Sequence, residues 1–176
     1  MSTQLKTAVT NQDHIQGKNN APIKLVEYGD YQCSYCGEAY SVIKAVQQTL
    51  GNDLELVFRN FPLSEVHPDA ENAAKAAEAA ALQNKFWEMH DMLYENQQQL
   101  DEENLISFAK KIGLDVNQFK SDMQSSAVSD KVESDFESGA RSGVNGTPSF
   151  FVNGEKYDGN WQDEEDFTQY LKSQLQ

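Results

Sequence analysis

The sequence predicts an α/β fold: a parallel βαβ unit, a helical middle, then a hairpin and a closing helix. Three observations predict it. Two short runs rich in β-formers, residues 23–28 and 54–58, flank a stretch of helical periodicity. Residues 70–142 repeat helical spacings with caps and stops between them. Asn153-Gly154 then separates two strand-like runs.

Each element has a local reason. Residues 1–20 read as a polar lead-in, with a loop over 17–22. Residues 23–28, Ile-Lys-Leu-Val-Glu-Tyr, alternate as a strand does, and Gly29 and Asp30 end it. A helix starts at Cys33 or Ser34 and runs to Leu50, with Ala39, Val42, Ile43, Val46 and Leu50 on one face. Gly51-Asn52 closes it, and residues 54–58 form the second strand. Strand, helix and strand over this length imply parallel pairing through a right-handed crossover. Asp69, after Pro68, is the expected N-cap of an alanine-rich helix over 70–84. Further helices are expected over 86–96, over 102–112 behind Asp101 and ending at Gly113, over 116–125, and over 128–142. Residues 148–152 and 155–157 form a hairpin across Asn153-Gly154, a turn whose two central positions need positive φ. Residues 163–175 close the chain as an amphipathic helix with Phe167, Tyr170 and Leu171 inward. The implied organisation is a lead-in (1–20), one α/β domain (21–62 with 126–176) and a helical insertion (63–125).

Composition narrows the function. The 176 residues suit one domain, and 39% hydrophobic with 10% aromatic residues supply a core without disulfide staples. A formal net charge of −14 argues against nucleic acid and against an anionic membrane surface. No run is apolar enough to span a bilayer, and the first twenty residues lack the apolar centre of an export signal. The expectation is a cytoplasmic monomer, or a periplasmic or secreted one if a signal has been removed.

The two cysteines carry the chemistry. Cys33-Ser34-Tyr35-Cys36 directly follows the first strand. A bridge closing so short a loop constrains the unfolded chain little, so the pair is chemical rather than structural. Residues i and i+3 on a first helical turn are close enough for a disulfide. Cys33, at the helix start, faces unpaired N–H groups and the positive end of the dipole. That setting stabilises a thiolate and can lower its pKa from about 8.5 to between ~3.5 and 7.5. Cys36, one turn in, is the more buried resolving thiol. A structural zinc site would need four ligands, and neither a second cysteine pair nor a histidine cluster supplies them. No metal and no cofactor are therefore implied.

This arrangement resembles the thioredoxin fold, and the inserted helices resemble its DsbA-like branch. The resemblance covers residues 21–175 and rests on Cys33-Ser34-Tyr35-Cys36, on Thr147-Pro148 opening the hairpin, and more weakly on Phe86-Trp87. It implies protein thiols and disulfides as substrates, with glutathione or another electron-exchange partner. It implies that Pro148 is cis and faces the cysteines, although an X–Pro bond in general is cis only about 5–6% of the time. It also implies that the Thr147 backbone pairs with substrate as an added strand, beside Ser34 and Tyr35. Glu27 shares a strand face with Ile23 and Leu25 and lies six residues before Cys33. Thioredoxin relatives carry a buried acid at that spacing, a proton relay for the inner cysteine. The competing reading is a solvated strand end.

One position departs from the DsbA pattern. Strongly oxidising members carry histidine before the second cysteine, where this chain has Tyr35. Together with the cytoplasmic expectation, this points to a pair that rests as a dithiol and acts as a reductant. A redox-inert adaptor or metal-handling module on the same fold is the alternative. The intact Cys36 argues against a glutathione-conjugating relative of the kappa class. His67 and His90 read as a helix lead-in and a helix flank, Tyr31 as packing or apolar substrate surface, and Gln97-Gln98-Gln99 as a solvated stretch.

Overall fold

The computed structural model describes residues 3–176. Strands β1 (His14–Gly17), β2 (Ile23–Gly29), β3 (Leu54–Asn60), β4 (Ser149–Val152) and β5 (Glu155–Tyr157) form one sheet in the order β1-β3-β2-β4-β5. The βαβ unit is present, with α1 (Ser34–Leu50) crossing between parallel β2 and β3. β4 joins β2 antiparallel, and β5 turns back through Asn153 and Gly154 at φ +49° and +89°. Helices α2 (Ala70–Ala81), α3 (Phe86–Glu95), α4 (Glu102–Lys111) and α5 (Val116–Met123) lie between β3 and α6 (Ser126–Arg141). Helix α7 (Glu164–Ser173) closes the chain.

The sheet is covered on both sides, and alternation along β2 decides which residue faces which layer. Ile23 and Leu25 pack with Ala39, Ile43 and Val46 of α1 and Phe167 and Leu171 of α7. Val26 and Tyr28 point the other way, onto Phe61, Val144 and Phe151. A third core joins the inserted helices to Tyr31, Cys33, Cys36 and Phe58. The cysteines therefore sit where the insertion meets the sheet.

Two local expectations are corrected. The polar lead-in contains β1, which pairs antiparallel with β3 from His14↔Phe58 to Gly17↔Glu55. Its four residues, His-Ile-Gln-Gly, carry little strand signal of their own, and the free edge of β3 recruits them. Asp69 precedes α2 in a helical conformation without capping it. Its carboxylate instead accepts from Gln32 Nε2 at 3.1 Å, and its N–H donates to Gln32 Oε1 at 2.8 Å. Asp101, Asp115, Ser125 and Asp163 do cap their helices through side-chain oxygens.

Candidate functional site

Cys33 is the N-cap of α1, with extended backbone angles (φ −73°, ψ +124°). This turns its side chain across the mouth of the helix. It is 6% exposed, whereas Cys36, on the first turn, is fully buried. The two cysteines are free thiols that approach to 3.7 Å. The Cys36 thiol, by hydrogen bonding to Cys33, is the main influence lowering the Cys33 pKa, and burial opposes it. Thr147 and the amides of Cys36 and Tyr35 add to the lowering, leaving Cys33 at about 5. Cys36 goes the other way: burial raises its pKa well above the usual thiol value, and the Cys33 hydrogen bond and Glu27 charge reinforce this. One cysteine is thus a ready thiolate and the other a protonated thiol at neutral pH.

The hairpin brings Thr147 to the same place. The Cys33 Sγ lies 3.6 Å from the Thr147 carbonyl, and the Thr147–Pro148 peptide bond is cis. Ser34 and Tyr35 are exposed on the adjoining turn, Tyr35 by 56%. Glu27 pairs across the sheet with Phe58 and Phe150 and is 2% exposed. Burial alone pushes its carboxyl up to about 8, so it is largely protonated at neutral pH. Its Oε1, the Tyr94 hydroxyl and Thr147 Oγ1 are buried without a hydrogen-bond partner among the described residues.

Several groups that shape this site gave no signal in the sequence. Asp30, at the end of β2, is the hub of the cysteine loop. Its N–H points at Cys36 Sγ (3.5 Å), and its carboxylate accepts from the N–H groups of Gln32 (2.8 Å) and Leu63 (2.9 Å). His67 Nδ1 also reaches that carboxylate, at 2.8 Å. His67 thus belongs to the support of the site. His90 is buried among the rings of Tyr31, Phe58, Phe86, Trp87 and Tyr94 rather than lying on a helix flank. Burial holds its pKa far below the usual value, so the ring is neutral, and its Nδ1 shares a hydrogen bond with the Tyr31 hydroxyl at 2.9 Å. Gln97 is no solvated residue either. Its Nε2 donates to the carbonyls of Tyr31 (2.9 Å) and Cys33 (2.8 Å). The bonds from His67 to Asp30, from His90 to Tyr31 and from Gln97 to Tyr31 and Cys33 each join residues at least 37 positions apart, so periodicity and motif spacing carry no trace of them.

Comparison with known proteins agrees with this geometry. The thioredoxin family model matches residues 9–173, so the chain belongs to the thioredoxin family. Within that family its fold is DsbA-like. Oxidised BdbD from Bacillus subtilis superposes with a TM-score of 0.85 at 23% identity, covering 99% of this chain and 97% of that one. A thioredoxin-like oxidoreductase from Silicibacter pomeroyi gives 0.80 at 25% identity, covering 93% and 94%. Among curated sequences, the Na(+)/H(+) antiporter NhaA 1 of Mycolicibacterium vanbaalenii is 42% identical over 159 residues, or 89% of this chain. The chain spans only 26% of that protein, about a quarter of the length of the curated relatives it matches.

These relationships overturn the cytoplasmic expectation. BdbD, the DsbA proteins of Wolbachia pipientis and the ScsC of Proteus mirabilis, whose folds this chain shares, are periplasmic or extracytoplasmic oxidoreductases. The polar N-terminal residues behind that expectation include His14–Gly17, which form β1 of the folded sheet. Among the described residues, no helix is long and apolar enough to cross a membrane.

Proposed function

We propose that this chain is an extracytoplasmic protein-disulfide oxidoreductase of the DsbA type, exchanging disulfides through Cys33 and Cys36. The observation that carries the reading is the placement of the two thiols: Cys33 caps α1 beside the Thr147 carbonyl, and Cys36 lies 3.7 Å away, fully buried, which tunes their pKa values in opposite directions. In the donating direction, a substrate thiolate attacks Cys33 Sγ of the Cys33–Cys36 disulfide. The intramolecular S–S bond breaks, Cys36 leaves as a thiolate, and a mixed disulfide forms at Cys33. A second substrate thiolate then attacks the substrate sulfur of that bond and releases Cys33 as a thiolate. The substrate gains a disulfide, and the pair holds the two electrons until an electron-exchange partner reoxidises it. A low Cys33 pKa favours this last departure.

The surrounding residues have roles in the same scheme. Cys36 is expelled as a poor thiolate in an apolar pocket, and protonated Glu27 is the group suited to give it a proton. In the reverse direction the Glu27 carboxylate takes that proton back. The Thr147 backbone, beside Cys33, offers a strand-like edge to an extended substrate, and exposed Tyr35 and Ser34 border it. The lowered Cys33 pKa and the relatives' compartment favour disulfide donation over the reductant role, despite Tyr35.

The test is thiol chemistry on the reduced chain. Cys33 should alkylate with a midpoint near pH 5 and Cys36 only slowly. Cys36→Ser should accumulate mixed disulfides with a reduced unfolded protein once activated at Cys33, and Cys33→Ser should form none. Two equally reactive thiols of ordinary pKa, with no exchange against glutathione buffers, would leave an inert adaptor.

A further inference from the structure

Gln97 lies in the turn after α3, within the helical insertion, yet its side chain reaches the loop that carries the first cysteine. Both of its partners there are carbonyl oxygens, which only accept. The amide nitrogen must therefore face them, and its two hydrogens are both used. One goes to Tyr31 O (2.9 Å) and the other to Cys33 O (2.8 Å), the two ends of the Tyr31-Gln32-Cys33 segment. The amide oxygen faces α1 at the residue after Cys36. A Cβ on Gly37 would sit 2.1 Å from Gln97 Oε1 and 2.8 Å from its Cδ. Gly37 is in ordinary helical backbone and needs no positive φ, so its lack of a side chain serves this close approach.

We propose that Gln97 is a positioning residue for disulfide exchange: by clamping both ends of the Tyr31–Cys33 segment over Gly37, the helical insertion sets the reactivity of Cys33. The proposal rests on the exchange reading above. Its physical basis is the geometry of an N-cap. Cys33 Sγ gains from the first-turn amides only while the Cys33 backbone holds its extended angles. The Cys33 carbonyl is the atom that reports those angles. It accepts the first helical bond, from Gly37 N–H at 3.1 Å, and the Gln97 bond at 2.8 Å. Asp30 fixes the opposite side of the segment through Gln32 N–H, so removing Gln97 frees one side only. The loop should stay folded while the sulfur loses its registration with the amides.

The experiment reads the Cys33 alkylation pH profile in the full reduced chain, with unfolding followed as a separate control. Gln97→Ala should raise the Cys33 midpoint by about one unit, the scale of a lost positioning hydrogen bond. Gln97→Glu should raise it further, because a carboxylate turns a third acceptor against two carbonyls. Gly37→Ala should shift it the same way by pushing the amide aside. In Gly37→Ala/Gln97→Ala the shift should be no larger than in either single variant, since both act through one contact. Gln98→Ala, at the exposed neighbour, should change nothing. The proposal is overturned if Gln97→Ala melts earlier with an unmoved Cys33 midpoint, or if the two single shifts simply add. Should Gln97→Ala not fold, Gly37→Ala and Gln97→Glu carry the same test. Alkylation needs no exchange partner, so an inactive chain with a movable Cys33 midpoint would refute the exchange reading and leave the clamp standing.

Discussion

Glu27 links the strand pattern to a measurable pH dependence. Its folded carboxyl titrates at about 8, against 4.5 for an unburied glutamate, and burial is the cause. The unfolded chain therefore ionises first, and stability from this residue falls as pH rises from 4.5 to 8. Glu27→Gln removes the titration. Its unfolding free energy relative to the parent should grow across that window, reaching on the order of 3 kcal/mol at pH 7. Denaturant unfolding at a series of pH values checks this, and a difference independent of pH would mean the carboxylate is solvated. The position of Glu27 was legible because alternation in β2 puts it in phase with Ile23 and Leu25. Cys33 and Cys36 were legible because their spacing is the chemistry. Gln97 and Asp30 were not, because an amide or carboxylate reveals its partner only after distant segments meet.

Among the elements, α6 tests how closely a helix backbone can approach the sheet. Gly139 lies in α6 where a Cβ would meet Phe61 Cδ2 at 2.8 Å and Tyr28 Cδ1 at 3.0 Å. The helix cannot slide to relieve this. Ser138 Oγ is bonded to the Tyr28 hydroxyl at 2.9 Å, and Asp135 accepts from the Asn60 backbone at 3.0 Å and its side-chain amide at 2.9 Å. Alanine improves helix propensity by about 1 kcal/mol, whereas overpacking rigid rings costs about 1–3 kcal/mol. Gly139→Ala should therefore lower stability, by up to about 2 kcal/mol in chemical unfolding, and a stabilised variant would show that α6 sits further out. Helix periodicity located α6 to within two residues of its ends but gave no distance to the sheet. Strand β1 went unseen for a related reason. A four-residue edge strand is defined by its ladder to β3, not by its own composition.

For the molecule as a whole, the redox state of one residue pair is coupled to global stability. A disulfide between residues three apart restrains the unfolded chain only slightly, so it adds little as a staple. The dithiol form, by contrast, gains from holding Cys33 as a thiolate. Closing the thermodynamic cycle, a fold that favours the dithiol makes the disulfide more oxidising than in the unfolded chain. The sign with pH follows from a folded pKa of about 5 against an ordinary 9.0. The gain is complete above 9, declines as pH falls, and is gone below about 5. Glu27 is present in both redox forms, so most of its opposite trend cancels in the difference. The raised pKa of Cys36 acts only near and above the ordinary thiol range. The reduced chain should therefore melt above the oxidised chain at pH 8, with the gap closing as pH is lowered to 5. Its reduction potential should lie above the thioredoxin value of about −270 mV, towards the DsbA value of about −120 mV. Paired thermal scans with and without reductant, and equilibration with glutathione buffers, measure the two quantities independently. An oxidised form that is the more stable at every pH would make the bridge a structural staple, and disulfide donation would fail with it.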